Sequence, residues 1–248
     1  MVERWINCDK CGLLVRLPWP RLVCDKCLRE GKVYSISKRR WVLPFLLLIV
    51  LPSCARAQPF PLDPSLWLID PSQADAGIVL PFTKRGALAF NFNRDTYTGY
   101  VLLPWTQPLQ GTFTASLQVL TSPDSPDKPV RFVMPVGACE SPGRVYLFFQ
   151  TNELYNGIEG TQWWASFDGW TLAETGTATV ILTADLGDST RWTSVYGHPA
   201  SNFPSEYANA KAHPTYVGLT LGGNCSNGHG VSPRKGDAQF RLVSMEIQ

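Results

Sequence analysis

Along residues 58–248 the apolar positions fall on every second residue in a series of short runs. Leu88, Phe90 and Phe92 alternate in ALAFNFN, and Phe113, Ala115, Leu117 and Val119 alternate after Gly111. Val130, Phe132 and Met134 repeat the pattern, as do Val145, Leu147 and Phe149, then Ala178, Val180 and Leu182, then Val217, Leu219 and Leu221. A period of two is the spacing of a strand with one buried face. The final run starts on Phe240 and Leu242 and shifts phase to Val243, Met245 and Ile247, which predicts a β-bulge. Turn-forming clusters separate the runs: Pro123-Asp124-Ser125-Pro126-Asp127, Ser141-Pro142-Gly143, Asp168-Gly169 and Gly222-Gly223-Asn224. Many short strands without a long helical period predict an all-β sandwich or barrel. One short helix is expected at Ser205–Ala212, with Ser205 as its N-cap and Pro214 beyond its end.

A run of another kind precedes this body. Lys38-Arg39-Arg40 leads into WVLPFLLLIVL, residues 41–51, and Ala55-Arg56-Ala57 follows. A charged start, a short apolar stretch and an A-x-A site make a signal peptide, and the stretch falls short of the ~20 residues a membrane helix needs. Residues 38–57 are therefore expected to be a signal peptide cut after Ala57, with Gln58 first in the mature chain. Leu51-Pro52-Ser53-Cys54 also resembles a lipobox, in which Cys54 would carry lipid; Pro52 is unusual there, and the A-x-A cut is favoured. On this reading residues 58–248 form one exported domain, secreted or held at the cell envelope, that meets the membrane only through the signal peptide or a lipidated Cys54.

Charge sharpens the division. Residues 1–57 hold 11 Lys/Arg and 4 Asp/Glu, whereas residues 58–248 hold 11 Lys/Arg and 16 Asp/Glu. The large domain is thus acidic, which argues against binding a nucleic-acid backbone.

The cysteines divide in the same way. Cys8, Cys11, Cys24 and Cys27 form C-x2-C-x12-C-x2-C, a spacing that brings four thiolates to one tetrahedral zinc. Residues 5–34 resemble a zinc ribbon, and loosely the small zinc-finger regulators of Mu-like phages. Residues 1–37 are accordingly expected to be a zinc-ribbon-like segment. Either it stays in the cytosol after cleavage, or translation begins at Val33 and it is not made. Cys139 and Cys225 are the cysteines left after A-x-A cleavage, and an oxidising compartment favours a disulfide between them. Two separate buried thiols are the alternative.

GRVYLFFQTNE, QWWASF, RWTSVYGH, YVGLTLGGNCSNGHGV and AQFRLVSMEI together resemble a group of exported bacterial and prophage-encoded proteins. The group looks like carbohydrate-binding modules and galactose-binding-like jelly rolls. The resemblance runs from about Ala87 to Gln248 and implies a jelly-roll β-sandwich that binds glycans. It departs from the group at Asn224, Ser226 and Asn227, where a glycine and aromatic residues are expected, so it does not place a stacking platform in that loop.

Candidate chemistry follows from residue type. Trp163 and Trp164 are adjacent, so on a strand one is expected in the core and the other exposed, where an indole face can cover the apolar face of a pyranose. Tyr155, Trp170 and Tyr196 lie in turn-rich segments and are further candidate ligand contacts, while Trp192 reads as a core anchor. His229 sits between two glycines; His198 and His213 have no ligand spacing to it, so it is expected to be a hydrogen-bonded loop residue rather than a metal or catalytic group. Asp237 and Glu246 are weak candidates for a structural calcium site. No nucleophile elbow or Walker loop is present, and no catalytic residue is nominated. The expectation is therefore a non-catalytic glycan-binding protein. A phage or envelope structural component without a sugar site and a glycan hydrolase are the rivals, and nucleic-acid regulation is a possibility confined to residues 1–37.

Overall fold

The computed structural model describes residues 3–7 and 14–18, and then 57–71, 79–134, 142–152, 157–172, 176–223 and 228–248. The chain divides into two compact units, Met1–Ala55 and Arg56–Gln248. In the first, β1 (Glu3–Asn7) and β2 (Leu14–Pro18) pair antiparallel, with Asn7 opposite Leu14.

Among the described residues the second unit is all-β apart from one α-helix and short 3-10 turns. Its strands are β3 (Gln58–Pro59), β4 (Leu68–Pro71), β5 (Phe82–Lys84), β6 (Ala87–Asn91), β7 (Thr98–Pro104), β8 (Thr112–Pro123) and β9 (Arg131–Val133). There follow β10 (Arg144–Gln150), β11 (Gln162–Trp164), β12 (Trp170–Thr171), β13 (Gly176–Asp185), helix α1 (Pro204–Ala212), β14 (Tyr216–Gly222), β15 (Ser232–Arg234) and β16 (Gly236–Ile247). One six-stranded sheet runs β13-β8-β16-β6-β5, with β3 also on β16. The other runs β11-β10-β14-β7-β4, with β12 also on β10. Their pairings are antiparallel.

The alternation read from the sequence supplies the core between these sheets. Leu88, Phe90, Phe113, Leu117, Val119, Phe240 and Leu242 enter from the first sheet. Val101, Leu103, Val145, Leu147, Phe149, Val217, Leu219 and Leu221 enter from the second. Ala178, expected in this series, is exposed near the start of edge strand β13, and its series turns inward from the half-buried Val180 to the buried Leu182. The phase shift in β16 is a bulge: Leu242 faces Leu117 and Ser244 faces Ser116, leaving Val243 as the extra residue. Val243 is turned outward while Met245 and Ile247 return to the core.

The helix begins one residue earlier than the sequence suggests. Pro204 occupies its first turn, where a missing N–H costs nothing, and Phe203 precedes it as N-cap. Ser205 does not cap; its hydroxyl donates to Glu206 Oε2 at 2.8 Å. α1 lies against the core through Tyr207 and Ala210, and the Tyr207 hydroxyl donates to the Leu186 carbonyl at 3.1 Å.

Candidate functional site

The second sheet has apolar residues on both of its faces. Trp163 points into the shared core, where its ring meets Tyr207 edge-on at 5.1 Å and its indole N–H donates to the Gly160 carbonyl at 3.2 Å. Trp164 points the other way, into a separate cluster with Tyr100, Leu102, Tyr146 and Phe148 that Val195 and Tyr216 flank. Rings are in contact there: Tyr100 with Phe148 at 5.4 Å, and Phe148 with Trp164 at 5.2 Å. The register explains the grouping, because Phe148 lies between Trp164 and Gly218, and Gly218 lies opposite Leu102.

This cluster is covered. Trp163 and Trp164 are 0% and 1% exposed, so the expectation that one of them faces solvent is not met. The physical reason is a strap, residues 193–195. Trp164 and Thr193 exchange two backbone hydrogen bonds of 2.9 Å. The hydroxyls of Ser166 and Thr193 also meet, and Val195 closes over the cluster. On the other flank Gly169 comes so close to Tyr146 that a Cβ there would stand 2.2 Å from the ring. Arg144 donates to the Gly169 carbonyl at 2.8 Å and lies over the Tyr146 ring. Burial pushes the phenol pKa values of Tyr100 and Tyr146 up, with Asp70 adding to the rise at Tyr100 and Arg144 opposing it at Tyr146.

The strap leads directly to the exposed ring of Tyr196, which is 66% accessible. Its hydroxyl donates to the Gly157 carbonyl at 3.0 Å, so the phenol is tethered at its tip while its faces stay open. Ile158, beside Gly157, and Phe167, beside Ser166, are also exposed. An ion pair of Arg191 with Asp168 lies among the same segments, and His198 Nδ1 stands 3.6 Å from Glu159 Oε2. Phe167 escapes the sequence reading, although a large apolar residue in the SFDG turn was its signal.

The other expected site residues separate. Trp170 is half-buried, sits opposite Val145 and packs against the main core, so it offers no open platform. Trp192 is a core anchor, in contact with Phe149 at 5.0 Å. His229 and His213 are exposed, and among the described residues no group of three or more His, Cys, Asp or Glu is placed to hold a metal. Asp237 and Glu246 do not meet: they stand near opposite ends of β16, roughly 30 Å apart at ~3.3 Å per residue. Asp237 is instead paired with Arg94 at 2.9 Å. Tyr155, Cys139, Cys225 and the four cysteines Cys8, Cys11, Cys24 and Cys27 lie outside the described residues.

Chemically, the arrangement presents rings and hydrogen-bonding groups without an assembled nucleophile. Ser194, His198 and Glu159 share one region, but the buried Ser194 hydroxyl has no hydrogen-bond partner and so does not engage the imidazole. A histidine activates a serine through such a contact. Compared with known proteins, the chain matches no family model, no curated protein and no solved structure.

Proposed function

We propose that the second unit is an exported, non-catalytic jelly roll that binds a glycan at the cell envelope or in the medium. The strand order supports the jelly-roll part. Take β6, β7, β8, β10, β11, β13, β14 and β16 as a series folded at its middle. First then pairs with last (β6–β16), second with seventh (β7–β14), third with sixth (β8–β13) and fourth with fifth (β10–β11). The sheets fall out as first-eighth-third-sixth and second-seventh-fourth-fifth, the order of one long hairpin rolled into two layers.

The observation that carries glycan binding is Tyr196, an exposed ring fixed by its own hydroxyl to Gly157, in segments that also expose Ile158 and Phe167 and hold the Arg191–Asp168 ion pair. A fixed ring stacks at low entropic cost, and neighbouring charges can serve ligand hydroxyls. A glycan array on the full chain tests this, with a hydrolysis assay alongside. Tyr196→Ala is expected to weaken the selected glycan by ~1–3 kcal/mol, the scale of base–aromatic stacking, with folding stability held within about 0.5 kcal/mol. A variant that binds as the parent does would remove the platform. A chain that binds no glycan would favour a structural component of an envelope or virion.

For residues 1–37 we propose a zinc-ribbon fold. Asn7 pairs with Leu14, so residues 8–13, which carry Cys8 and Cys11, connect two paired strands as a zinc knuckle does. Cys24 and Cys27 would complete the four thiolates. Metal analysis of the reduced full chain should find one zinc, lost when these cysteines are replaced by serine.

A further inference from the structure

A buried polar atom is normally hydrogen-bonded, and one that is not calls for an occupant. On the outward face of the second sheet three residues at neighbouring register positions carry such atoms. Gln150 Oε1, Gln162 Nε2 and Trp164 Nε1 are all shielded from solvent and lack a hydrogen-bond partner. Their residues are 0%, 3% and 1% exposed. Gln150 and Gln162 are direct cross-strand partners, and Trp164 is the next residue on the same face of β11. Positions so related lie about 5–8 Å apart, within reach of one small molecule.

The chemistry of the set is specific. The Trp164 indole and the Gln162 amide are donors, and the Gln150 carbonyl is an acceptor. None carries a charge. An anion would suit the two donors but meet the lone pairs of Gln150, and a cation would find one acceptor facing two N–H groups. A hydroxyl both accepts and donates, so a pair of adjacent hydroxyls completes all three atoms.

We infer that Gln150, Gln162 and Trp164 form a built subsite for a neutral polyhydroxylated ligand, bound by hydrogen bonds at the β10–β11 corner. This rests on the glycan-binding reading and supplies the polar half of that site. Here Trp164 works through its N–H, not through its face. The strap over Trp164 also carries Tyr196, so the subsite and the exposed ring adjoin one short segment. The strap lies over Trp164, so a ligand reaches the indole N–H when the strap moves. Two backbone hydrogen bonds at Thr193 and the Ser166–Thr193 hydroxyl contact hold it.

The test is nitrogen-15 NMR of the full chain titrated with the methyl glycosides of glucose, galactose, mannose and N-acetylglucosamine. The Trp164 indole N–H signal is expected to shift saturably with at least one of them. Gln162→Met keeps the shape and removes the donor, and should weaken that sugar about tenfold or more, the loss of a hydrogen bond or two. The same change removes an unpaired buried group, so the melting temperature should hold or rise. Gln150→Met is the second variant, expected to behave alike, and the indole signal of the parent chain is independent of either. Sugar binding with a stationary Trp164 signal would overturn the subsite and leave glycan binding standing. No shift with any of the four sugars, together with a bound-water contact at the indole and a fall in melting temperature for both variants, would make the corner an internal water site and overturn the assignment. The glycan array then decides the broader reading separately.

Discussion

Trp163 and Trp164 occupy consecutive positions of one strand, so their rings lie on opposite faces of the sheet, and each face has its own cover. The alternation of the sequence makes the opposition legible. It does not make legible the second cover, because the strap comes from residues 193–195, about 30 positions further along, and is joined by backbone hydrogen bonds that no side-chain pattern announces. The same limit hid Gln150 and Gln162, whose significance depends on cross-strand register and on missing partners. Tyr196 was legible as a candidate because it sits in a turn-rich segment, and the structure leaves it exposed. With both tryptophans buried, Trp163→Ala and Trp164→Ala should each destabilise the fold by about 3–5 kcal/mol through the cavity left behind. Denaturant melts of the two variants check this. A Trp164→Ala chain as stable as its parent would mean that the outward cluster is not packed as described.

At the scale of the element, β14 and β16 show how single residues set strand geometry. Gly218 lies in the middle of β14 at a φ of 154°, and a Cβ there would stand 2.0 Å from the Val101 carbonyl oxygen. Its strand reads as a simple alternating run, so the requirement for glycine arises from the neighbouring backbone and not from the pattern. Gly218→Ala is expected to destabilise by at least about 1–3 kcal/mol, because neither the backbone angle nor the neighbouring oxygen accommodates a methyl group. An alanine variant melting with its parent would contradict that close approach. The bulge in β16, by contrast, was written in the sequence as a change of phase. Inserting one residue between Ser244 and Met245 adds a second phase shift and turns Met245 and Ile247 outward, since a one-residue slip exchanges the two faces of a strand. The variant should be recovered unfolded or aggregated, as solubility and circular dichroism would report.

At the scale of the whole molecule, alternation and turns made the all-β class legible, while the assignment of strands to sheets was not, because partners such as β6 and β16 are far apart in sequence. The packing of the second unit also has consequences for stability. It buries the phenols of Tyr100 and Tyr207, and burial pushes both pKa values up, with Asp70 adding to the first and Asp185 and Asp188 to the second. An unfolded tyrosine titrates near pH ~10. Above that pH the unfolded chain therefore holds fewer protons than the folded one, and stability falls as pH rises, by up to about 1.4 kcal/mol per pH unit for each tyrosine. Part of the phenolate absorbance should appear only together with loss of near-ultraviolet circular dichroism; ionisation of all eight tyrosines at pH ~10 in a folded chain would contradict the burial. The strand order bears on the cysteines too. Arg144 at the start of β10 is the register partner of Gly222 at the end of β14, so the chain enters one strand and leaves the other at the same end of the sheet. Cys139 precedes Arg144 by five residues and Cys225 follows Gly222 by three. At ~3.3 Å per residue both tethers are long enough for the two sulfurs to meet. On the proposed export to an oxidising compartment, we therefore expect Cys139 and Cys225 to be joined. The bridge would close a loop with 85 residues between its ends, worth up to ~4–5 kcal/mol in the chain-entropy model. Mass spectrometry of the natively exported, unreduced protein should find no free thiol at either position, and reduction should lower the denaturation midpoint. Two alkylatable thiols in that sample, or a midpoint indifferent to reduction, would establish them as separate cysteines that merely follow the two strands to the same end.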